Sequence, residues 1–222
     1  MSFVVAIDGP AGSGKGTITK NVAESLNLIN IDTGAMYRCV ALNALEKNID
    51  STEIEKLKDM LENNTLIELK REGKNQKVIL NGIDVSEKIR TIEVDNCVAK
   101  YAAVKCVRDS VTPMQRNMSK LGDIIMEGRD IGTTVFPNAD IKIFLNATVE
   151  ERAKRRYKQD IEKGMSVTYE EILSGIIERH KLETEREISP LIKAKDAIEI
   201  DTSNLTVEEV TKKVCEIIKK RK

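Results

Sequence analysis

The chain has 222 residues, enough for one good core or for one core carrying a small inserted subdomain. Its 36 Lys and Arg balance 36 Asp and Glu, which argues against a protein that coats nucleic acid but still allows arginines to gather in one cleft. A single histidine and four cysteines without CxxC spacing argue against a zinc site, a histidine-based hydrolase and a disulfide frame, and no apolar run approaches the roughly 18 residues of a membrane span.

Residues 3–7 form an apolar run that reads as a buried strand. The run is short and lacks a basic flank, so it is not read as a signal peptide, and the expected compartment is the cytoplasm. It feeds Gly9-Pro10-Ala11-Gly12-Ser13-Gly14-Lys15-Gly16-Thr17, a glycine-rich turn that opens a helix with Ile18, Val22 and Leu26 on one face. Gly9, Gly12 and Gly14 let main-chain N–H groups converge on an anion. Lys15 adds a point charge and the helix N-terminus a partial one, so the turn is expected to hold phosphates. The residue after the lysine is Gly16, and the hydroxyl follows on Thr17.

Residues 28–31, 124–126, 141–145 and 197–200 read as further buried strands separated by helical patterns, an α/β arrangement. Asp8, Asp32, Glu127 and Asp201 stand at or beside strand ends, at the carboxyl edge where open parallel sheets bind ligands. About ninety residues separate the second and third strands, too many for a simple crossover. They hold a helix over 35–46 and a second helix to about Glu62, opened by a Thr52/Glu55 capping box. Strand-like pieces follow at 66–70, 77–80 and 83–85, with Asn81-Gly82 as a two-residue hairpin turn. Helical spacing resumes at Ile92 and again at Val107, Val111, Met114 and Met118, where Pro113 is expected to kink or restart the helix. The stretch reads as a small α/β subdomain inserted in the parent sheet.

After the fourth strand, residues 150–163 read as a charged helix with Arg152, Arg155 and Arg156 on one face. A helix opened by a Thr168/Glu171 box is expected to bury Ile172, Leu173, Ile176 and Ile177. A Thr206/Glu209 box opens a terminal helix carrying Val210, Val214, Ile217 and Ile218.

A phosphate loop alone fits a GTPase, a motor or a kinase, and no guanine-reading Asn-Lys-x-Asp string is present. Arg38, Arg108, Arg129, Arg179 and Arg186 as a set point to an anion-rich cleft, because guanidinium groups bind phosphate in bidentate, planar fashion. An acceptor that is itself a phosphate needs positioning more than a strong general base. Two rivals are a small-alcohol or shikimate-type kinase, which needs a carboxylate base beside a hydroxyl, and a nucleotide-dependent binding module without transfer.

Lys15-Gly16-Thr17 is similar to the loop of the nucleoside monophosphate kinases. Three further strings are Asp32-Thr33-Gly34-Ala35-Met36-Tyr37-Arg38, Asn81-Gly82-x-Asp84-Val85-Ser86-x-x-Ile89-Arg90 and Glu127-Gly128-Arg129-Asp130-Ile131-Gly132-Thr133. With Glu151-Arg152-Ala153-x-Arg155-Arg156, these resemble the bacterial cytidylate kinases, in order from about residue 3 to 215. The resemblance implies an α/β fold with a five-stranded parallel-sheet P-loop core (1–34, 105–150 and 187–222). It also implies an inserted NMP-binding subdomain (35–104) and a short lid with its associated helices (151–186).

The same resemblance implies that Gly9, Pro10, Ala11, Gly12, Ser13, Gly14, Lys15, Gly16 and Thr17 hold ATP, with Thr17 and water completing the coordination of Mg²⁺. Arg38, Arg129 and Arg186 would grip the phosphate of CMP or dCMP, and Arg108 and Asp130 would read cytosine. Arg179 and Glu183 would contact the ribose, with Glu where the family has Asp. Thr33 and Tyr37 complete the CMP set, and Ala99 stands where the family has a base-contacting serine. Lys15, Arg129, Arg152, Arg156 and Arg186 would act on the transferring phosphoryl group, and Glu127 would stand near the water shell of Mg²⁺. The implied partners are these small nucleotides, with no nucleic acid and no membrane, for a chain acting as a monomer.

Overall fold

Val4–Asp8 (β1) is buried at all five positions, as an interior strand of a parallel sheet must be. The computed structural model describes residues 2–72, 75–162 and 164–222; Met1, Gly73, Lys74 and Lys163, at which the expected charged helix ends, lie outside the described residues. Further strands are Ile29–Asp32 (β2), Ile67–Glu72 (β3), Asn75–Leu80 (β4), Ile83–Asp84 (β5), Ile124–Gly128 (β6), Ile141–Asn146 (β7) and Ile198–Asp201 (β8). The five-stranded parallel sheet has the order β2-β6-β1-β7-β8, with β1 between β6 and β7. This order places the carboxyl end of β1 between those of two neighbours, where an open parallel sheet binds its ligand.

Helices are Lys15–Leu26 (α1), Thr33–Glu46 (α2), Ile54–Asn63 (α3), Ile92–Ala103 (α4), Lys105–Asn117 (α5), Val149–Glu162 (α6), Tyr169–Glu185 (α7) and Val207–Lys219 (α8). Among the described residues no helix is long and apolar enough to cross a membrane.

The chain divides into two compact units, residues 1–31 with 118–222, and residues 32–117. In the first unit α1 and α8 pack side by side. Ile18 and Val22 of α1, Val210, Val214 and Ile218 of α8, and Val5, Ile7, Ile125 and Ile143 of the sheet form one apolar core. Helices α6 and α7 also cluster with this unit and pack on each other, with Tyr157 and Tyr169 edge to face.

The second unit joins α2–α5 to an antiparallel β3-β4-β5 sheet. Residues 105–117 fall with this unit. Asn81 and Gly82 both take left-handed φ angles, 51° and 83°, as a two-residue primed turn between β4 and β5 requires.

Two of the three expected capping boxes form. Thr168 with Glu171 and Thr206 with Glu209 each exchange both hydrogen bonds. The Thr52/Glu55 box does not, and α3 begins at Ile54 without a side-chain cap. Asp50 explains the difference: its carboxylate takes the N–H and hydroxyl of Thr52, while the Glu53 carboxylate takes the N–H of Asp50. A nearer acceptor has captured the threonine.

Pro113 does not restart α5, which runs through it as one helix. The carbonyl that loses its intrahelical donor belongs to Asp109, an exposed residue within reach of water. On α7 only Ile176 of the four expected apolar residues is fully buried, and Ile177 is exposed. Thr206→Ala is expected to cost about 1 kcal/mol in urea unfolding, because α8 needs its cap to seat Val210, Val214 and Ile218. Thr52→Ala is expected to cost less than about 0.5 kcal/mol.

Candidate active site

The loop from Gly9 to Gly14 leaves β1 where only glycine can stand. A Cβ on Gly9 (φ 151°) would lie 2.0 Å from the carbonyl oxygen of Leu145 at the end of β7. One on Gly12 (φ 79°) would press into the backbone and Cβ of Arg152 on α6. Gly14 ends the loop in a left-handed conformation, and no cap side chain bonds the N–H groups opening α1. Those N–H groups and the helix dipole therefore face the loop as an anion site.

Lys15 lies folded across this loop, only 5% exposed, its Nζ donating to the Pro10 carbonyl at 2.7 Å and to Ser13 Oγ at 3.3 Å. Burial first, and then the Arg129 guanidinium, hold its pKa well below that of an ordinary lysine, while Glu127, Glu183 and Asp8 act in the opposite direction. Thr17, at the first turn of α1, is exposed.

Asp8 is a functional candidate that the sequence reading noted only as a strand end. It is buried, and its two carboxylate oxygens accept from the main-chain N–H groups of Ile131 at 2.8 Å and Gly132 at 2.7 Å. Those residues open the π-helical turn Ile131–Val135 that follows Arg129 and Asp130. Asp8 thus ties the strand carrying the glycine loop to the turn that follows two expected acceptor residues. Burial raises its pKa to about 6 against the lowering effect of the two N–H groups. An acid closing an apolar strand was the visible signal; its partner turn, 123 residues away, was not.

The expected acceptor residues of this unit are held by ion pairs. Glu183, 5% exposed, accepts from Arg129 Nε at 2.8 Å through one oxygen and from Arg179 Nε at 3.0 Å through the other. Burial alone would raise the Glu183 pKa, but the Arg129 and Arg179 guanidinium groups outweigh it and hold it at about 2. Arg186 donates to the Ser189 carbonyl and approaches Asp130 at 3.4 Å.

The three arginines of α6 diverge. Arg152, 2% exposed, donates to the carbonyls of Ala147 and Ala11, gripping the loop from beneath. Arg155 bonds Glu151 and Thr202, and Arg156 pairs with Asp160. Periodicity put all three on one face, but their partners differ.

In the second unit Asp32 caps α2 by accepting the N–H of Ala35, and Thr33 and Tyr37 are buried just beyond it. The Arg108 guanidinium sits 5.4 Å from the centre of the Tyr37 ring and donates to the Ala102 carbonyl. Arg38 bonds Asp95 and the Ile89 carbonyl. Ala99 is half-buried on α4. Of the four acidic strand ends, Asp8 and Glu127 stand near Lys15, while Asp32 caps a helix and Asp201 caps a turn at Ser203.

No cluster of three His, Cys, Asp or Glu that could hold a metal exists among the described residues. Beside the opening of α1 stand the Thr17 hydroxyl and one carboxylate, Glu127, which accepts from Thr19 and lies 3.4 Å from where a Gly16 Cβ would stand. So sparse an oxygen set fits Mg²⁺, which keeps several waters and is carried by substrate phosphates.

The chain matches the family model for cytidylate kinase over residues 5–220. Cytidylate kinase of Bacillus subtilis (strain 168) is 49% identical over 217 residues, 98% of this chain and 96% of that protein. Cytidylate kinase of Fusobacterium nucleatum is 47% identical over 221 residues, 100% of this chain and 99% of that one. Among solved structures, shikimate kinase from Bacteroides thetaiotaomicron aligns with a TM-score of 0.50 at 12% identity, covering 99% of each chain, a likeness of fold alone.

The two perturbed carboxylates have opposite pH signatures. Glu183 is depressed to about 2, so its contribution is complete above the unfolded carboxylate pKa and is lost as pH falls toward 2. Glu183→Gln is therefore expected to cost about 3 kcal/mol in urea unfolding at neutral pH, a difference that shrinks below about pH 4.5. Asp8 is raised to about 6, so its ionisation weakens the fold as pH rises from about 4 to 6. Relative to the parent chain, Asp8→Asn is expected to gain about 3 kcal/mol between about pH 4 and pH 7. A parallel pH dependence of variant and parent would refute the assignment.

Proposed function

The chain belongs to the cytidylate kinase family, and from that premise we propose that it moves the γ-phosphoryl group of ATP onto the phosphate of CMP or dCMP in one in-line step. The observation that carries this reading is the buried Lys15 beside Arg129, at a loop whose open N–H groups and arginine neighbours suit several phosphates at once.

A CMP phosphate oxygen forms the new bond to the γ-phosphorus. The bond from that phosphorus to the β–γ bridging oxygen breaks, and ADP leaves with the electron pair. The attacking oxygen is already anionic at neutral pH, so no side chain has to act as a strong base. Lys15 exchanges the Pro10 carbonyl and Ser13 hydroxyl for the terminal phosphates of ATP, which Gly9–Gly14 and the start of α1 cradle with N–H groups. Arg38, Arg129 and Arg186 take the CMP phosphate, Arg108 and Asp130 the cytosine, and Arg179 with Glu183 the sugar, beside Thr33 and Tyr37. Arg152 and Arg156 meet the transferring group as the 151–186 region closes and excludes water that would otherwise hydrolyse ATP. Thr17, and Glu127 through water, would hold Mg²⁺, which would supply neutralisation of the phosphate charge. The four free thiols suit a reducing cytoplasm.

ADP release coupled to a detector, run over CMP, dCMP, UMP, AMP and shikimate, tests the reading. CMP and dCMP are expected to drive turnover; ADP formation that no nucleotide stimulates would overturn it. Lys15→Ala is expected to lower kcat by about a hundredfold or more with an unchanged circular dichroism spectrum.

A further inference from the structure

Arg38 on α2 meets a carboxylate for which the reading above has no use. Its NH2 lies 2.5 Å from Oδ1 of Asp95 on α4, and its NH1 donates to the Ile89 carbonyl at 3.2 Å. Both side chains of the pair are only 16% exposed. We propose that Asp95 is a resident counter-ion which the phosphate of CMP displaces from Arg38, so that this carboxylate sets the affinity for the acceptor. The proposal rests on the reading in which Arg38 grips that phosphate.

Carboxylate and phosphate offer a guanidinium the same thing, a planar pair of anionic oxygens. A phosphate approaching Arg38 must therefore take over bonds that Asp95 already makes. A carboxylate that stayed in place would also repel the phosphate across a short distance in a partly dry site. Exchange and repulsion have the same sign, and each weakens CMP binding.

Orientation does not depend on Asp95, because the Ile89 carbonyl holds the other arm of the guanidinium and α2 packs along α4. Removing the carboxylate leaves Arg38 aimed while relieving the competition. Asp95 also has somewhere to go: it lies in the first turn of α4, where a negative charge is favoured by the helix dipole. Asp130 and Glu183 hold Arg186 and the Arg129–Arg179 pair in the same manner, but each is itself expected to touch CMP. Asp95 is assigned no contact with CMP. Before substrate arrives it keeps a half-buried cation paired and ties α4 to α2, a contribution to stability at the expense of acceptor affinity.

The test is a double-mutant cycle on the full-length protein, reading KM for CMP, KM for ATP and melting temperature. Asp95→Asn is expected to lower KM for CMP about three- to tenfold, leave KM for ATP unchanged and lower the melting temperature. Asp95→Ala should act in the same direction, which guards against an asparagine that retains the bond or a variant that folds poorly. Inhibition by cytidine, which lacks the phosphate, should not change. In an Arg38→Gln background, itself raised in KM for CMP, Asp95→Asn should have no effect. A KM for CMP that stays level or rises in both Asp95 variants would overturn the proposal while leaving Arg38 as a phosphate ligand. Arg38→Gln without effect on KM for CMP would instead overturn the acceptor reading on which the proposal stands.

Discussion

Lys15 is a cation buried beneath its own loop with a second cation, Arg129, close enough to depress it further. Burial penalises the charged form of such an ammonium, and a like charge adds to the penalty. Glu127, Glu183 and Asp8 offset that depression only in part, and the first unit brings all three toward Lys15. Glu127 comes from β6 and Asp8 from β1, paired strands whose registers place Ile7 opposite Glu127 and Asp8 opposite Gly128. Glu183 comes from the last turns of α7. One group of opposed charges thus joins the ends of two strands and the end of that helix.

The carboxylates meet this constraint in different ways, and their opposite pKa shifts record it. Asp8 has two main-chain N–H groups, dipoles too weak to offset its burial. Glu183 has two guanidinium groups, which more than offset it. Asp8 is therefore suited to holding a turn in place, whereas Glu183 is suited to storing charge. Each stored arginine is neutralised by a group that a phosphate can imitate, so the cations are kept ionised without being spent. The same device recurs inside the second unit at Arg38 and Asp95.

Much of this was legible in the sequence wherever the signal was local. Strand runs, the glycine loop, the Asn81-Gly82 turn and two capping boxes each lie within a few residues, and the five strands stand within one or two residues of their expected bounds. Local rules fell short where a closer competitor was present, as when Asp50 captured Thr52, or where exposure relieved a penalty, as at Asp109 opposite Pro113. The loop was legible as a glycine turn opening a helix, but not the folded-back Lys15, because its acceptors are a carbonyl and a hydroxyl that any loop possesses. Partners distant in sequence were not legible at all. Nothing near Asp8 announces the turn at Ile131, and nothing in the spacing of Arg152, Arg155 and Arg156 says that only the first grips the loop.

That grip bears on how the loop works. Its backbone is braced from outside at two points, by Leu145 against Gly9 and by Arg152 against Gly12, with Arg152 also bonded to Ala11. A braced loop presents its N–H groups without rearrangement, and donors that need not reorganise stabilise developing charge most effectively. Lys15 is the opposite case, its ammonium occupied by two neutral acceptors that a phosphate outbids. The fold thereby separates a braced cradle from the hydrogen-bonded ammonium of Lys15, and Arg152, which the sequence sets beside Arg155 and Arg156, is bonded to that cradle.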